Sequence, residues 1–293
     1  MTNFNDPIRR IRRFNRAVTS EVGALDHSFL GRGRPLGQAR VLHAIDHFST
    51  DLSEIRHHLN LDKAVLSRAL KALESEGLIT LQTDAEDARK RSAHLTKAGA
   101  AEAAAYNALS DQQAETLLAR HPQPAALLAA MDLVASALTA ERLEIQEADP
   151  RSDVALFCLQ SYYAELEARF ERGFDVSLSA DPEAHDMLPP RGAFYVALSD
   201  GLPQGCIGLK GTDKGYSEIK RLWVAPSARG LGLAQRLMGC CDSAARALDV
   251  SLLRLDTNSA LPEAAALYRK LGWQEIDRFN DDPYPDLFFE KQL

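Results

Sequence analysis

Cysteine is scarce, at four residues in a chain of 293. Cys158, Cys206, Cys240 and Cys241 show no Cys-x-x-Cys spacing and no histidine partner in sequence, so neither a metal site nor a redox motif is expected. No apolar stretch is expected to reach the roughly 18 residues of a membrane span. The opening Met1-Thr-Asn-Phe-Asn-Asp6 lacks the apolar core of a signal peptide. These absences point to a cytoplasmic protein with no metal and no membrane partner. What is present is an ordinary globular balance, 45% hydrophobic and 26% charged, which excludes disorder and fibrous repeats. At about 150 residues per domain the length points to two domains.

The net charge of −7 is unevenly spread. Up to Glu144 there are 18 Lys and Arg against 18 Asp and Glu, whereas the remainder holds 16 against 23. A neutral half with local basic clusters, joined to an acidic half, implies different partners for each. The expected seam is the polar stretch 145–153, where Pro150 blocks helix continuation. The expected domains are therefore 1–146 and 147–293.

The first half is mainly helical. Ile8, Ile11, Phe14, Val18, Val22 and Leu25 recur at helical spacing, 36–48 reads as a second helix, and Asp51 and Asp62 stand where helix N-caps belong. Gly77 can end the helix that starts after Asp62, and strands at 78–83 and 92–96 flank a charged tip, 84–91. Helices over 97–120 and 124–144 follow, the former starting in an alanine-rich run. Helix, turn, helix, hairpin is the order of a winged helix-turn-helix. Leu66, Leu70 and Leu73 share one face of the second helix, leaving Ala64, Ser67, Arg68 and Lys71 to enter a major groove. Arg89, Lys90 and Arg91 on the hairpin suit phosphates or a narrow minor groove. A solvated charged turn beside an ordinary helical hairpin is the plainer alternative. The cluster Arg9, Arg10, Arg12, Arg13 and Arg16 lies on the polar side of the first stripe, which fits a solvated or dimer-facing surface as well as a DNA contact.

Ser67-Arg68, Leu73-Glu74, Gly77-Leu78-Ile79, Asp87-Ala-Arg89, Leu95-Thr96 and Gly99 together resemble the MarR transcription regulators over about residues 5–144. The resemblance implies a homodimer joined through the first and last helices, reading two half-sites of a pseudopalindrome in double-stranded DNA. It further implies that Arg89 reaches the minor groove and that Asp87 orients it.

In the second half, strands are expected at 193–199, 205–211, 216–224, 251–257, 273–279 and 286–291, with helices at 153–172, 232–248 and 262–271. The join after the third strand carries Arg229, Gly230, Leu231, Gly232, Leu233 and Ala234. Glycines allow close backbone approach, successive amides can point inward, and a helix N-terminus adds partial positive charge, so this turn can cradle a diphosphate. It is neither a Walker loop nor Gly-x-Gly-x-x-Gly, and an ordinary helix start has the same look.

Arg229-x-x-Gly232-x-Ala234, the strand Glu218-Ile-Lys-Arg-Leu-Trp-Val224, and the run from Leu255 through Asn258 and Tyr268 to Trp273 resemble, in order, the motifs of the GNAT acetyltransferases. The resemblance covers about residues 153–293 and is weakest over 153–190. It implies an α/β acyltransferase fold with a mixed central sheet, acetyl-CoA as co-substrate, and transfer of the acetyl group to an amine. The amides of 230–234 would bind the pyrophosphate, the main chain of Leu222 to Val224 would pair with pantetheine, and Asn258 would lie near that arm. Glu218 would remove the amine's proton and Tyr268 would return one to the departing thiolate. Against these roles stand a cross-strand pairing of Glu218 with Lys220 and simple core packing of Tyr268.

Tyr162, Tyr163, Phe170, Phe174 and Tyr284 fall in regions that lid the acceptor site in that family, which fits a small amine or amino acid with an apolar body. The leading expectation is a fusion of a DNA-binding regulator with an N-acetyltransferase. The alternatives are a regulator whose second domain only senses acetyl-CoA or an amine, and an acetyltransferase for protein lysines.

Overall fold

A computed structural model describes residues 6–83, 90–178 and 184–293. Asp87 and Arg89 lie outside the described residues. The chain forms two compact units, Met1–Pro124 and Ala125–Leu293.

The first unit comprises helices α1 (Pro7–Glu21), α2 (Leu36–His47), α3 (Leu52–His58) and α4 (Lys63–Ser75), strands β1 (Ile79–Thr83) and β2 (Arg91–Leu95), and helix α5 (Lys97–Arg120). Local chemistry sets the boundaries. Asp51 accepts from the amides of Ser53 and Glu54 at 2.7 and 3.0 Å, and Asp62 from those of Ala64 and Val65, both at 2.8 Å. Gly77, at φ +71°, turns the chain out of α4 in a conformation that glycine adopts without a Cβ penalty. The chain then enters an antiparallel hairpin running from Ile79↔Leu95 to Thr83↔Arg91. Leu66, Leu70 and Leu73 bury against Leu42, Ile55 and Ile79, as the helical spacing predicts. This is a winged helix-turn-helix.

The hairpin base and α5 meet at Thr96 and Gly99. The Thr96 hydroxyl donates to the Gly77 carbonyl at 2.7 Å and accepts from the Gly99 amide at 3.1 Å. A Cβ on Gly99 would stand 1.9 Å from the Leu78 carbonyl oxygen. Helix α1, by contrast, buries none of its residues. Ile8 and Ile11, on its apolar stripe, are 60% and 57% exposed.

The second unit contains helix α6 (Pro124–Thr139, all but its first residue), strand β3 (Glu144–Glu147), helix α7 (Asp153–Arg169), strands β4 (Ala193–Ser199), β5 (Leu202–Lys210) and β6 (Ser217–Val224), helix α8 (Leu233–Ala247), strand β7 (Leu252–Thr257), helix α9 (Pro262–Lys270), and strands β8 (Gln274–Ile276) and β9 (Leu287–Gln292). The seven strands form one sheet in the order β3-β4-β5-β6-β7-β9-β8. Among the described residues only β6 and β7 pair in parallel within it; the other neighbours are antiparallel. The mixed sheet is therefore as the GNAT resemblance implies.

The structural units divide earlier than the seam read from the sequence, and the residue 146/147 boundary falls inside β3. Two hydrogen bonds tie α6 to the sheet: Ser136 donates to the Gln204 side chain at 3.4 Å, and the Thr139 and Ser199 hydroxyls lie 3.0 Å apart. Arg236 on α8 adds a 2.7 Å bond to the Leu143 carbonyl.

The absence of any span-length apolar stretch also needs correction. The 19 residues Pro124–Arg142 are long and apolar enough to cross a membrane by length and composition, because moderately apolar alanines fill the gaps between leucines. The hydrogen bonds of Ser136 and Thr139 to β4 and β5 hold this helix against the C-terminal sheet.

Candidate active site

The site begins where two strands part. Strands β6 and β7 pair from Ser217↔Leu253 to Ile219↔Leu255, and no register pair continues from Lys220 onward. On its other side β6 stays joined to β5 as far as Gly205↔Val224. Between Cys206↔Trp223 and Gly208↔Lys220 the partner advances three residues against two, a β-bulge in β6. Arg221 sits at that bulge with φ +59°, a conformation that costs an ordinary side chain about 1–2 kcal/mol and persists because both flanks are fixed. The Cys206 thiol donates to the Arg221 carbonyl at 3.3 Å. One edge of 220–224 therefore faces a fork rather than a strand.

Past Val224 the chain turns through Gly230 (φ +78°) and Gly232 (φ +80°) into α8. Space is open around both glycines, so backbone conformation rather than crowding selects them. Gly230, Leu231 and Gly232 are exposed, Leu233 is buried and Ala234 half-buried. Gly232 is the N-cap of α8 and offers no side-chain cap, leaving the first-turn amides to an outside acceptor. Arg229 is engaged from within: it donates to the Val224 carbonyl at 3.0 Å and pairs with Glu165 at 2.5 Å. Its partner is thus a carboxylate from α7, 64 residues away, which spacing within the turn could not reveal.

The fork opens onto a cavity of about 100 Å³. Tyr162, Tyr163, Phe170, Phe174 and Tyr284 all line it, so the five aromatics singled out in the sequence converge. Phe174 stacks on Tyr163 at 5.6 Å and lies 4.7 Å from Tyr284. The Tyr284 hydroxyl accepts from the Asp175 amide at 2.8 Å and donates to its carbonyl at 3.2 Å, pinning the late loop to the segment after α7. Arg278 holds the same loop from inside, donating to the carbonyls of Asp282 and Pro285 at 2.9 and 2.7 Å. Asn258 also lines the cavity, but its side chain donates to the Tyr284 carbonyl at 2.6 Å and accepts from the Ala260 amide at 2.8 Å.

Tyr268, one turn beyond Ala264 on α9, completes the wall. Its ring is buried against Trp273 and Phe289, and its hydroxyl makes no hydrogen bond among the described residues. Burial, and after it the charge of Asp256, raises the phenol's pKa above the ordinary tyrosine value. The proton therefore stays on Tyr268 at neutral pH.

Glu218 takes a different place. It is 5% exposed, lies outside the aromatic cavity, and pairs with the Lys220 ammonium at 3.2 Å. Lys220 bonds Asp256 on its other side at 2.6 Å, and both Lys220 and Asp256 line the cavity. Burial alone would lower the Lys220 pKa, but the charges of Asp256 and Glu218 outweigh it and raise it. Lys220 is thus a buried cation between two carboxylates. The pairing of Glu218 with Lys220 is the alternative raised from the sequence, though it forms within β6 rather than across strands, while Asp256 did not stand out in the sequence. The usable signal was strand alternation, which puts Glu218 with Lys220 on one strand face and Arg254 with Asp256 on one face of another.

In the first unit Ser67, Arg68 and Lys71 project from α4 away from its buried leucines, and Lys90 and Arg91 are exposed at the start of β2. Lys90 precedes β2, whereas Arg91, expected in the turn, is the first residue of that strand and pairs with Thr83; Arg89 lies outside the described residues.

Two family profiles match the chain: an acetyltransferase (GNAT) domain over residues 190–275, and the MarR family over residues 32–90. An IAA acetyltransferase of Azospirillum brasilense is 40% identical over 105 residues, covering 34% of this chain and 67% of its own length. The uncharacterized N-acetyltransferase YjgM of Escherichia coli is 31% identical over 121 residues, covering 39% and 71%. Among solved structures, an acetyltransferase of the GNAT family from Staphylococcus aureus has 21% identity and a TM-score of 0.46, covering 51% of this chain and 98% of its own.

Proposed function

Because the chain belongs to the GNAT acetyltransferases through its second half and joins to it a MarR-family region, we propose a bifunctional cytoplasmic protein that binds DNA and transfers an acetyl group from acetyl-CoA to a small amine or amino acid. Residues 1–146 serve DNA binding and dimerisation, and 147–293 serve acetyl transfer.

The observation that carries the reading is the β6–β7 fork opening onto the aromatic cavity beside Tyr268. The residues present fit acetyl-CoA. The unpaired edge at Leu222 to Val224 suits an extended pantetheine. The uncapped α8 N-terminus, with Gly230 to Ala234, suits a pyrophosphate, and Arg229 lies beside it with Asn258 at the cavity wall. Acetyl-CoA supplies an activated acetyl thioester. Tyr268 holds the proton that the thiolate needs, and the carboxylates around Lys220, Glu218 and Asp256, supply the acceptor for the amine's proton. The small aromatic-walled cavity favours a compact amine with an apolar body over a protein lysine.

The test is release of free coenzyme A across a panel of amines and amino acids. Thiol release above the hydrolytic background supports the enzyme, stoichiometric binding without release supports a sensor, and activity confined to peptides supports a lysine acetyltransferase.

For the first half, Ser67, Arg68 and Lys71 on α4 enter the major groove, with Arg89, Lys90 and Arg91 on the wing. The apolar stripe of α1, where Ile8 and Ile11 are 60% and 57% exposed, closes a homodimer that reads a pseudopalindrome. Replacing Arg68 and Lys71 together by alanine is expected to weaken duplex binding. The slope of log affinity against log salt should then fall by about 1 for each phosphate that is no longer neutralised. Fluorescence anisotropy at several salt concentrations checks this, and an unchanged slope removes both side chains from the interface. Sedimentation of the full chain should give a dimer, and Ile11→Glu on α1 should shift it toward monomer.

A further inference from the structure

We infer that Asp256 is the carboxylate that meets the acceptor's ammonium and takes its proton, with Lys220 and Asn280 positioning it; this deepens the proposed acetyl transfer and rests on it. Asp256 is the first residue of β7 beyond the last register pair with β6, so it stands at the mouth of the fork. It lines the cavity that Tyr268 also lines, whereas Glu218 lies behind Lys220 on a separate groove with Lys210, Lys214 and Arg278.

One oxygen of Asp256 is committed. Its Oδ2 accepts from Lys220 Nζ and from the Asn280 side-chain amide, both at 2.6 Å. Its Oδ1 makes no hydrogen bond among the described residues. One carboxylate oxygen is thus held by two donors while the other is left for a further donor.

Among the described residues, the charged side chains that line the cavity are Lys220 and Arg221 from β6, Asp256 from β7 and Asp282 from the late loop, with Glu218 behind Lys220. The aromatic rings that line the cavity offer a face for the acceptor's ammonium.

In the step that follows, the ammonium gives one proton to Asp256 Oδ1. The freed nitrogen bonds to the acetyl carbonyl carbon while the carbon–sulfur bond breaks, its electron pair leaving on sulfur. Tyr268 donates its phenolic proton to that sulfur and recovers the second proton of the nitrogen. Asp256 then releases its proton to water.

The experiment compares full-length wild type, Asp256→Asn, Glu218→Gln and Asn280→Ala with the amine that wild type acetylates fastest. Asp256→Asn is expected to lower kcat/KM by about 100-fold or more and to abolish the acidic limb of its pH profile. Its acetyl-CoA affinity by calorimetry should stay within about twofold of wild type, since none of the groups proposed to hold acetyl-CoA is altered. Glu218→Gln should keep the acidic limb. Asn280→Ala keeps the charge of Asp256 but removes a donor to its ionised form, so the limb should move to higher pH; this holds even if Asp256→Asn does not fold. A limb that persists in Asp256→Asn, vanishes in Glu218→Gln, or stays in place in Asn280→Ala overturns the assignment. No acetylation of any amine by wild type overturns the acetyl-transfer reading instead.

Discussion

Turnover is expected to fall by about 100- to 1,000-fold when Tyr268 is replaced by phenylalanine, while acetyl-CoA affinity stays within about twofold. The substitution removes one oxygen and leaves the ring in place. That ring is buried between Trp273 and Phe289, so its packing persists. The lost hydroxyl makes no hydrogen bond among the described residues, so its removal strands no partner. What disappears is a proton source. Burial holds the phenol protonated at neutral pH, and the departing thiolate would then have to find its proton in water. Thiol release measures the first quantity and calorimetry the second. Wild-type turnover in Tyr268→Phe would exclude Tyr268 as the acid.

The second large effect falls on stability. Gly99→Ala is expected to destabilise the winged helix-turn-helix by about 3 kcal/mol, at the upper end of ordinary overpacking. The obstacle is the backbone carbonyl oxygen of Leu78, 1.9 Å from the added carbon, and a carbonyl at a hairpin base cannot rotate aside as a side chain could. That oxygen also accepts from the Thr96 amide at 3.0 Å, so moving it disturbs the joint between hairpin and α5. Both tryptophans, Trp223 and Trp273, lie in the second unit. Urea unfolding followed by tryptophan fluorescence should keep its midpoint, while the helical circular-dichroism transition of the first unit moves to lower urea. Coincident, unshifted transitions would show that the joint yields more easily than its geometry implies.

Gly99 also shows what a sequence can carry. It belongs to the run that resembles the MarR regulators, and the structure supplies the cause: only a residue without Cβ fits beneath that carbonyl. Local signals of this kind were legible throughout. The caps at Asp51 and Asp62, the turn at Gly77 and the leucine face of α4 each depend on neighbours a few residues away. The convergence of the five aromatics was also foreseeable, though only through the family resemblance.

Long-range pairings were not legible. Strand β3 is Glu-Ile-Gln-Glu, with one apolar residue, and it is a strand because β4 offers it a ladder. Arg229 reads as a free cation until folding brings Glu165 to it. The grouping of Glu218, Lys220 and Asp256 needs the parallel register of β6 and β7, which no single strand encodes. The left-handed backbone at Arg221 has no glycine to announce it. The catalytic carboxylate thus depends on the part of the fold that is least local.

The parted strands have one further consequence, in time rather than space. Main-chain amides along 220–224 that lack a partner across the fork exchange their hydrogens with solvent quickly, while those of the paired segment before them are shielded by the ladder. Any extended molecule that settles into the gap acts as a temporary strand and should slow deuterium uptake there and little elsewhere. Occupancy could then be followed without a labelled ligand, from a short peptide spanning residues 220–224, and a substrate that enters only the aromatic cavity should leave that clock running at its unloaded rate.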